Sequence, residues 1–135
     1  MSTDTHIKRT NPSTIAAPTG YTHVVEVAPT ARTVYIAGQV AYDWRREVVG
    51  VGDMAAQVEQ VYKNIEAALA AADASFKDVV KMTTFVTDMS QVQPARAARA
   101  RYFGDTLPAS TLIEVRALAH PDLMIEIELI AALSR

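Results

Sequence analysis

The 135-residue chain has no cysteine. Disulfides, thiolate metal sites and a cysteine nucleophile are therefore excluded, and neither stability nor chemistry rests on sulfur redox. Tryptophan occurs once and glycine five times, and no apolar run approaches the roughly 18 residues needed to cross a bilayer. The opening stretch MSTDTHIKRTNPSTIAAPTGY carries no apolar segment as long as a signal-peptide core. Secretion by that route is not expected, no membrane partner is implied, and the cytoplasm is the simplest compartment. Excess positive charge is also missing: the net charge of −2 supplies no broad basic surface for a phosphate backbone, which argues against nucleic acid as a partner. There is no glycine-rich phosphate loop or dinucleotide fingerprint, so no nucleotide cofactor is expected. His6, His23 and His120 show no ligand spacing with one another or with a carboxylate, so no metal is expected either.

What the chain does have is apolar content. Half its residues are hydrophobic and 21% are charged, a balance of ordered globular packing. Its length suits a single domain over residues 1–135, burying about 68% of the surface the unfolded chain exposes.

Residues 22–28 and 33–39 are rich in β-branched side chains and flank Pro29-Thr30-Ala31-Arg32, a spacing that predicts a hairpin. Next comes AYDWRREVVGVGD, with two glycines and several charges, expected to be a mobile connection able to cover a cleft with Trp44. From Met54, the apolar residues Val58, Val61, Ile65 and Leu69 recur at steps of three and four, with Asp53 suited to cap the helix, which is expected to run to about residue 72. A strand over 79–88 follows. Pro94 then opens a second helix to about residue 103, and strands over 109–118 and 123–133 flank the turn triplet His120-Pro121-Asp122. The order is ββαβαββ.

Two helices in one layer cover only one face of such a sheet. Alternation puts Val34 and Ile36 opposite Tyr35 and Ala37, and Val80, Met82 and Val86 opposite Val79 and Phe85, so both faces carry apolar side chains. An apolar face beyond the reach of the helices predicts association with further copies of the chain.

Chemistry is concentrated in the last two strands. Glu126 and Glu128 alternate with Ile125, Ile127 and Leu129 and so share one face, either as a solvated surface or as carboxylates in a cleft suited to proton transfer. By parity Ser110, Leu112, Glu114 and Arg116 share a face, with Thr111, Ile113 and Val115 on the other.

The segment LPASTLIEVRALAHPDLMIEIELIAAL, together with VGVGDMAAQ and VVKMTTFVTDM, resembles the RidA/YjgF family of small trimeric proteins. The resemblance covers residues 21–133. It implies an α+β, chorismate-mutase-like fold: a mixed sheet with two helices on one face, assembled as a homotrimer with ligand clefts between subunits. It implies that Glu126 directs the water that attacks an imine carbon. Deaminases of the family read Pro-Ala-Arg where this chain has Pro108, Ala109 and Ser110, and that arginine holds the substrate carboxylate. A guanidinium grips a carboxylate with a planar fork, whereas a hydroxyl offers one neutral donor. Arg116, six residues along the strand and thus roughly 20 Å away, is beyond reach of the same spot. Arg96, Arg99 and Arg101 on the second helix are better substitutes, Arg96 standing near a pocket asparagine of the family.

The same resemblance puts Tyr21, Ala37, Gly38, Thr111 and Leu112 with Ser110 and Arg96 in the substrate cleft. Ala37 replaces a serine and Leu112 a cysteine, which makes the cleft more apolar. The expected activity is water attack on a reactive small molecule, an imine, enamine or related electrophile, other than the usual amino-acid-derived acid. The alternatives are a non-catalytic metabolite-binding protein using the same cleft and, third, an endoribonuclease.

Overall fold

The computed structural model describes residues 6–29 and 32–134. Among these, strands β1 (Ile7–Thr10), β2 (Val24–Val27) and β3 (Arg32–Gln39) precede helix α1 (Met54–Ala71). Strand β4 (Val79–Val86), helix α2 (Gln93–Phe103) and strands β5 (Ala109–Glu114) and β6 (Ile125–Leu133) follow. The main sheet has the order β3-β6-β4-β5. Its β4–β5 pair is parallel and its other pairs are antiparallel, which makes it mixed.

Helix α1 starts where Asp53 caps it, its carboxylate accepting from the Ala56 amide at 3.1 Å. The three-and-four spacing then buries Met54, Val58, Val61, Ile65 and Leu69 in one stripe. Helix α2 carries Pro94 in its first turn, where no intrahelical donor is lost, and buries Ala95, Ala98 and Phe103. Both helices pack on the sheet face that presents Ile36, Met82, Val86, Ile125, Ile127 and Leu129. Ion pairing between the helices comes from Arg101 of α2, which donates to Glu59 of α1.

A buried glutamine locks the loops to this core. Gln57, with no exposed surface, donates through Nε2 to the carbonyls of Gly50 (3.1 Å) and Asp122 (2.7 Å), and its Oε1 accepts from the Met124 amide at 2.8 Å. One side chain thereby ties the entry to α1 to the entry to β6.

Three expectations are corrected. The hairpin over residues 22–39 does not form: β2 pairs antiparallel with the additional strand β1, while β3 pairs with β6. Strand β1 is only four residues long and mostly polar, too little pattern to announce itself, and Thr30 and Ala31 of the expected turn lie outside the described residues. Val79 rather than Val80 enters the core, because a register shift between Val79 and Lys81 breaks the alternation there. The connection after β3 is tied down rather than loose. Asn64 donates to the carbonyls of Val40 and Tyr42, Val49 to Ala41, and Tyr42 bridges to Val48.

Candidate functional site

Two clefts, on opposite faces of the sheet, contain several of the residues singled out above. The first, of about 610 Å³, opens between α2, β5 and the turn before β2, and is lined by Thr19, Gly20, Tyr21, Arg96, Arg99, Ser110 and Leu112. Its position follows from pairing. Ser110 and Leu112 stand beside Met82 and Thr84 in the parallel register, on the helix-covered face. Thr22 holds the turn to the start of β5, its hydroxyl donating to the Leu107 carbonyl at 2.6 Å and its amide to that of Pro108 at 3.0 Å. That pin sets Tyr21 against Ser110 across the opening, with the Tyr21 ring edge-on to His23 at 5.2 Å.

Arg99 reaches under the turn. Gly20 has φ +79°, which favours glycine, and the Arg99 guanidinium fills the space that a Cβ there would take. A narrow extension of the cleft runs on between Arg96, Arg99, Ser110, Leu112, Met82 and Tyr62. Tyr62 is stacked on Tyr102 at 4.7 Å. Burial pushes its phenol well above the ordinary tyrosine range, while the positive charge of Arg99 acts in the opposite sense.

The second cleft, of about 550 Å³, lies on the uncovered face and is lined by Tyr35, Ala37, Lys81, Thr83, Glu128 and Ile130, among others. Tyr35 is 76% exposed there, a large ring with no protein over it. Glu126 belongs to this face, opposite Phe85 in the register, and its half-buried carboxylate occupies the hollow beside Gly38, where a Cβ would overlap it. The register of β3 against β6 shifts between Ile36 and Gln39, which carries Ala37 and Gly38 along the edge of the sheet beside Glu126. Glu128, exposed, makes no ion pair among the described residues.

The predicted site residues thus divide. Tyr21, Arg96, Ser110 and Leu112 meet in the first cleft, with Arg99 beside them. Ala37, Gly38 and Glu126 are on the other face, as is Thr111, whose hydroxyl accepts from Lys81 Nζ at 3.2 Å. Trp44 lines neither cleft; it is 87% exposed with the Arg45 guanidinium 5.0 Å from its ring centre. Lys81 and Tyr35 were not anticipated as cleft residues, although their parity with Thr83 and Ala37 was readable in the strand patterns.

Residues 12–133 match the family model described as Endoribonuclease L-PSP. The chain belongs to the RidA/YjgF family. A Rid-family protein of unknown function from Yersinia pestis superposes with a TM-score of 0.85 at 40% identity, covering 95% of this chain and 99% of that one. A RutC family protein of Pyrococcus horikoshii is 40% identical over 98 residues, 73% of this chain and 77% of its own length. The 2-iminobutanoate/2-iminopropanoate deaminase of mouse is 33% identical over 119 residues, 88% of this chain and 87% of its own. Within this family frame, the two-helix, mixed-sheet architecture is the RidA/YjgF fold.

Proposed function

We propose that this chain is a cytoplasmic, deaminase-like hydrolase of small imines, enamines or related electrophiles, acting in clefts that form where copies of the chain meet, three to an assembly. The observation that carries the reading is the placement of Glu126. It is a half-buried carboxylate that occupies the space a Cβ at position 38 would take, on the sheet face that leaves Tyr35 and Ile113 exposed. Relatives named as deaminases, in mouse and in Acinetobacter baylyi, support the reaction type.

In the proposed step Glu126 accepts a proton as water adds to the C=N carbon. A C–O bond forms, the electron pair of the C=N bond moves to nitrogen, and Glu126 returns the proton to that nitrogen, giving a carbinolamine. Glu126 then takes the hydroxyl proton as the C=O bond closes and the C–N bond breaks, and passes it to the departing nitrogen, which leaves as ammonia. No cofactor is consumed.

The geometry of a single chain supports the assembly. Ser110 and Glu126 point to opposite faces of one sheet, so one small molecule meets both only if the uncovered face of one copy meets the first cleft of another. The exposed Tyr35 and Ile113 fit such a covered face. The net charge of −2 favours this small-molecule reading over RNA cleavage.

The test is hydrolysis of imines generated in place by an amino-acid oxidase, followed as the rate of carbonyl product formation. Acceleration above the spontaneous rate is expected. A folded protein that binds the carbonyl product yet accelerates no imine is a binding protein, and the enzymatic reading falls.

A further inference from the structure

Charge is distributed unevenly around the first cleft. The net charge of the chain is −2, yet among the described residues no carboxylate lines this cleft or its narrow extension, and two arginines do. The third arginine of α2, Arg101, is neutralised by Glu59, whereas neither Arg96 nor Arg99 forms an ion pair among the described residues. Arg99 is held against Gly20, with its Nε shielded from solvent and without a hydrogen-bond partner. Two uncompensated guanidiniums drawn partly out of water are costly until negative charge completes them. A carboxylate supplies one charge and a planar pair of oxygens, which a single guanidinium already satisfies. The other arginine would stay unmatched. A phosphomonoester instead supplies nearly two charges and three acceptor oxygens around a tetrahedral centre. The Ser110 hydroxyl lines the same opening and adds a neutral donor from β5, while the arginines reach in from α2.

We propose that the cleft between α2 and β5 is a phosphomonoester site, in which Arg96 and Arg99 share the phosphate dianion and the Ser110 hydroxyl donates to it. Ser110 then has a physical reason: an arginine at that position would fill the space the tetrahedral group needs and would add a third guanidinium to a cleft that already holds two. Tyr21 and Leu112 face the carbon skeleton of the ligand with a ring and an apolar edge, and neither brings a further charge. This inference rests on the reading that the cleft receives an imine or enamine, and it narrows that class to derivatives of small phosphorylated aldehydes and ketones.

Titration calorimetry with dihydroxyacetone phosphate, a small ketone that carries the dianion, tests the site on the full-length protein at about pH 8, where the phosphate is doubly charged. Wild type is expected to bind it about 10-fold or more tightly than pyruvate, which brings one carboxylate, and tighter still than dihydroxyacetone, which brings no charge. Arg96→Met and Arg99→Met are each expected to weaken binding about 10- to 100-fold, the loss expected for a charge-assisted hydrogen-bond pair. Arg99→Lys keeps the charge without the fork and should fall between Arg99→Met and wild type. Arg101→Met, which removes a helix arginine already paired with Glu59, serves as the control and should bind as wild type does. Four results would each overturn the site: no binding of dihydroxyacetone phosphate by wild type, equal affinity for pyruvate, inorganic phosphate bound as tightly as the ester, or unchanged affinity in a folded Arg99→Met protein. Arginine-dependent binding of dihydroxyacetone phosphate without turnover of any imine would sink the catalytic reading and leave the site standing. Imine turnover by a protein that does not bind dihydroxyacetone phosphate would do the reverse.

Discussion

Glu126→Gln is expected to lower the turnover of imine hydrolysis about 100- to 10,000-fold, the range supplied by a positioned proton acceptor. Glutamine keeps the shape and fills the same hollow beside Gly38, so the melting temperature and the mass of the assembly should be unchanged. The amide cannot accept a proton from water, and only the chemical step suffers. Glu128→Gln is the informative companion. It removes the same charge two residues along the same face, from an exposed side chain, and should leave turnover close to wild type. Stopped-progress assays of carbonyl product at saturating imine, with thermal melts of each variant, measure both expectations. A Glu126→Gln protein that turns over at the wild-type rate removes the carboxylate from the mechanism.

The second large effect concerns stability. Gln57→Leu is expected to cost about 3 to 5 kcal/mol, because it strands two buried carbonyls and one amide at once. Those groups belong to Gly50, Asp122 and Met124, and no exposed surface of Gln57 gives water a way in. The leucine side chain also has a different shape from the amide, so apolar burial recovers little of the loss. For a domain of this size the melting temperature should fall by roughly 10 to 20 °C. Among the described residues the side chain of Gln60, one turn along α1, bonds only to Asn64, and Gln60→Leu should change the melting temperature little. Equal melting temperatures for the Gln57→Leu and Gln60→Leu proteins would show that the buried glutamine is not the tie between the two loops.

Much of the architecture was legible because local rules agree with the tertiary outcome. The expected start of α1 at Met54 with Asp53 as its cap is what the fold uses, since an aspartate before a three-and-four apolar stripe satisfies the free amides of the first turn. Alternation in β6 correctly separated Glu126 and Glu128 from Ile125 and Ile127. Parity within one strand, however, says nothing of the register between strands. That Glu126 shares a face with Thr111 and lies opposite Ser110 depends on pairings that no single segment encodes. The choice among the arginines of α2 was hidden for a similar reason. Arg96, Arg99 and Arg101 are alike in sequence, and only the rotation of the helix against α1 and β5 sends one to Glu59 and two into the cleft. The small strand β1 escaped because its stability comes from distant partners. His6 donates to the Ala132 carbonyl at 3.0 Å and Arg9 to that of Leu107 at 3.3 Å, contacts no local pattern announces.

The absence of cysteine makes the central claim directly measurable. A chain carrying both Ser110→Cys and Glu126→Cys has two unique thiols on opposite faces of its sheet, to be joined by a short bis-maleimide and read on a denaturing gel. If the cleft of one copy receives position 126 of the next, the double variant should appear at two and three times the chain mass and stop at three, where a ring of head-to-tail contacts closes. Each single variant should remain at the mass of one chain. A double variant that also stays at the mass of one chain, under conditions where both thiols are labelled, would contradict a site shared between copies.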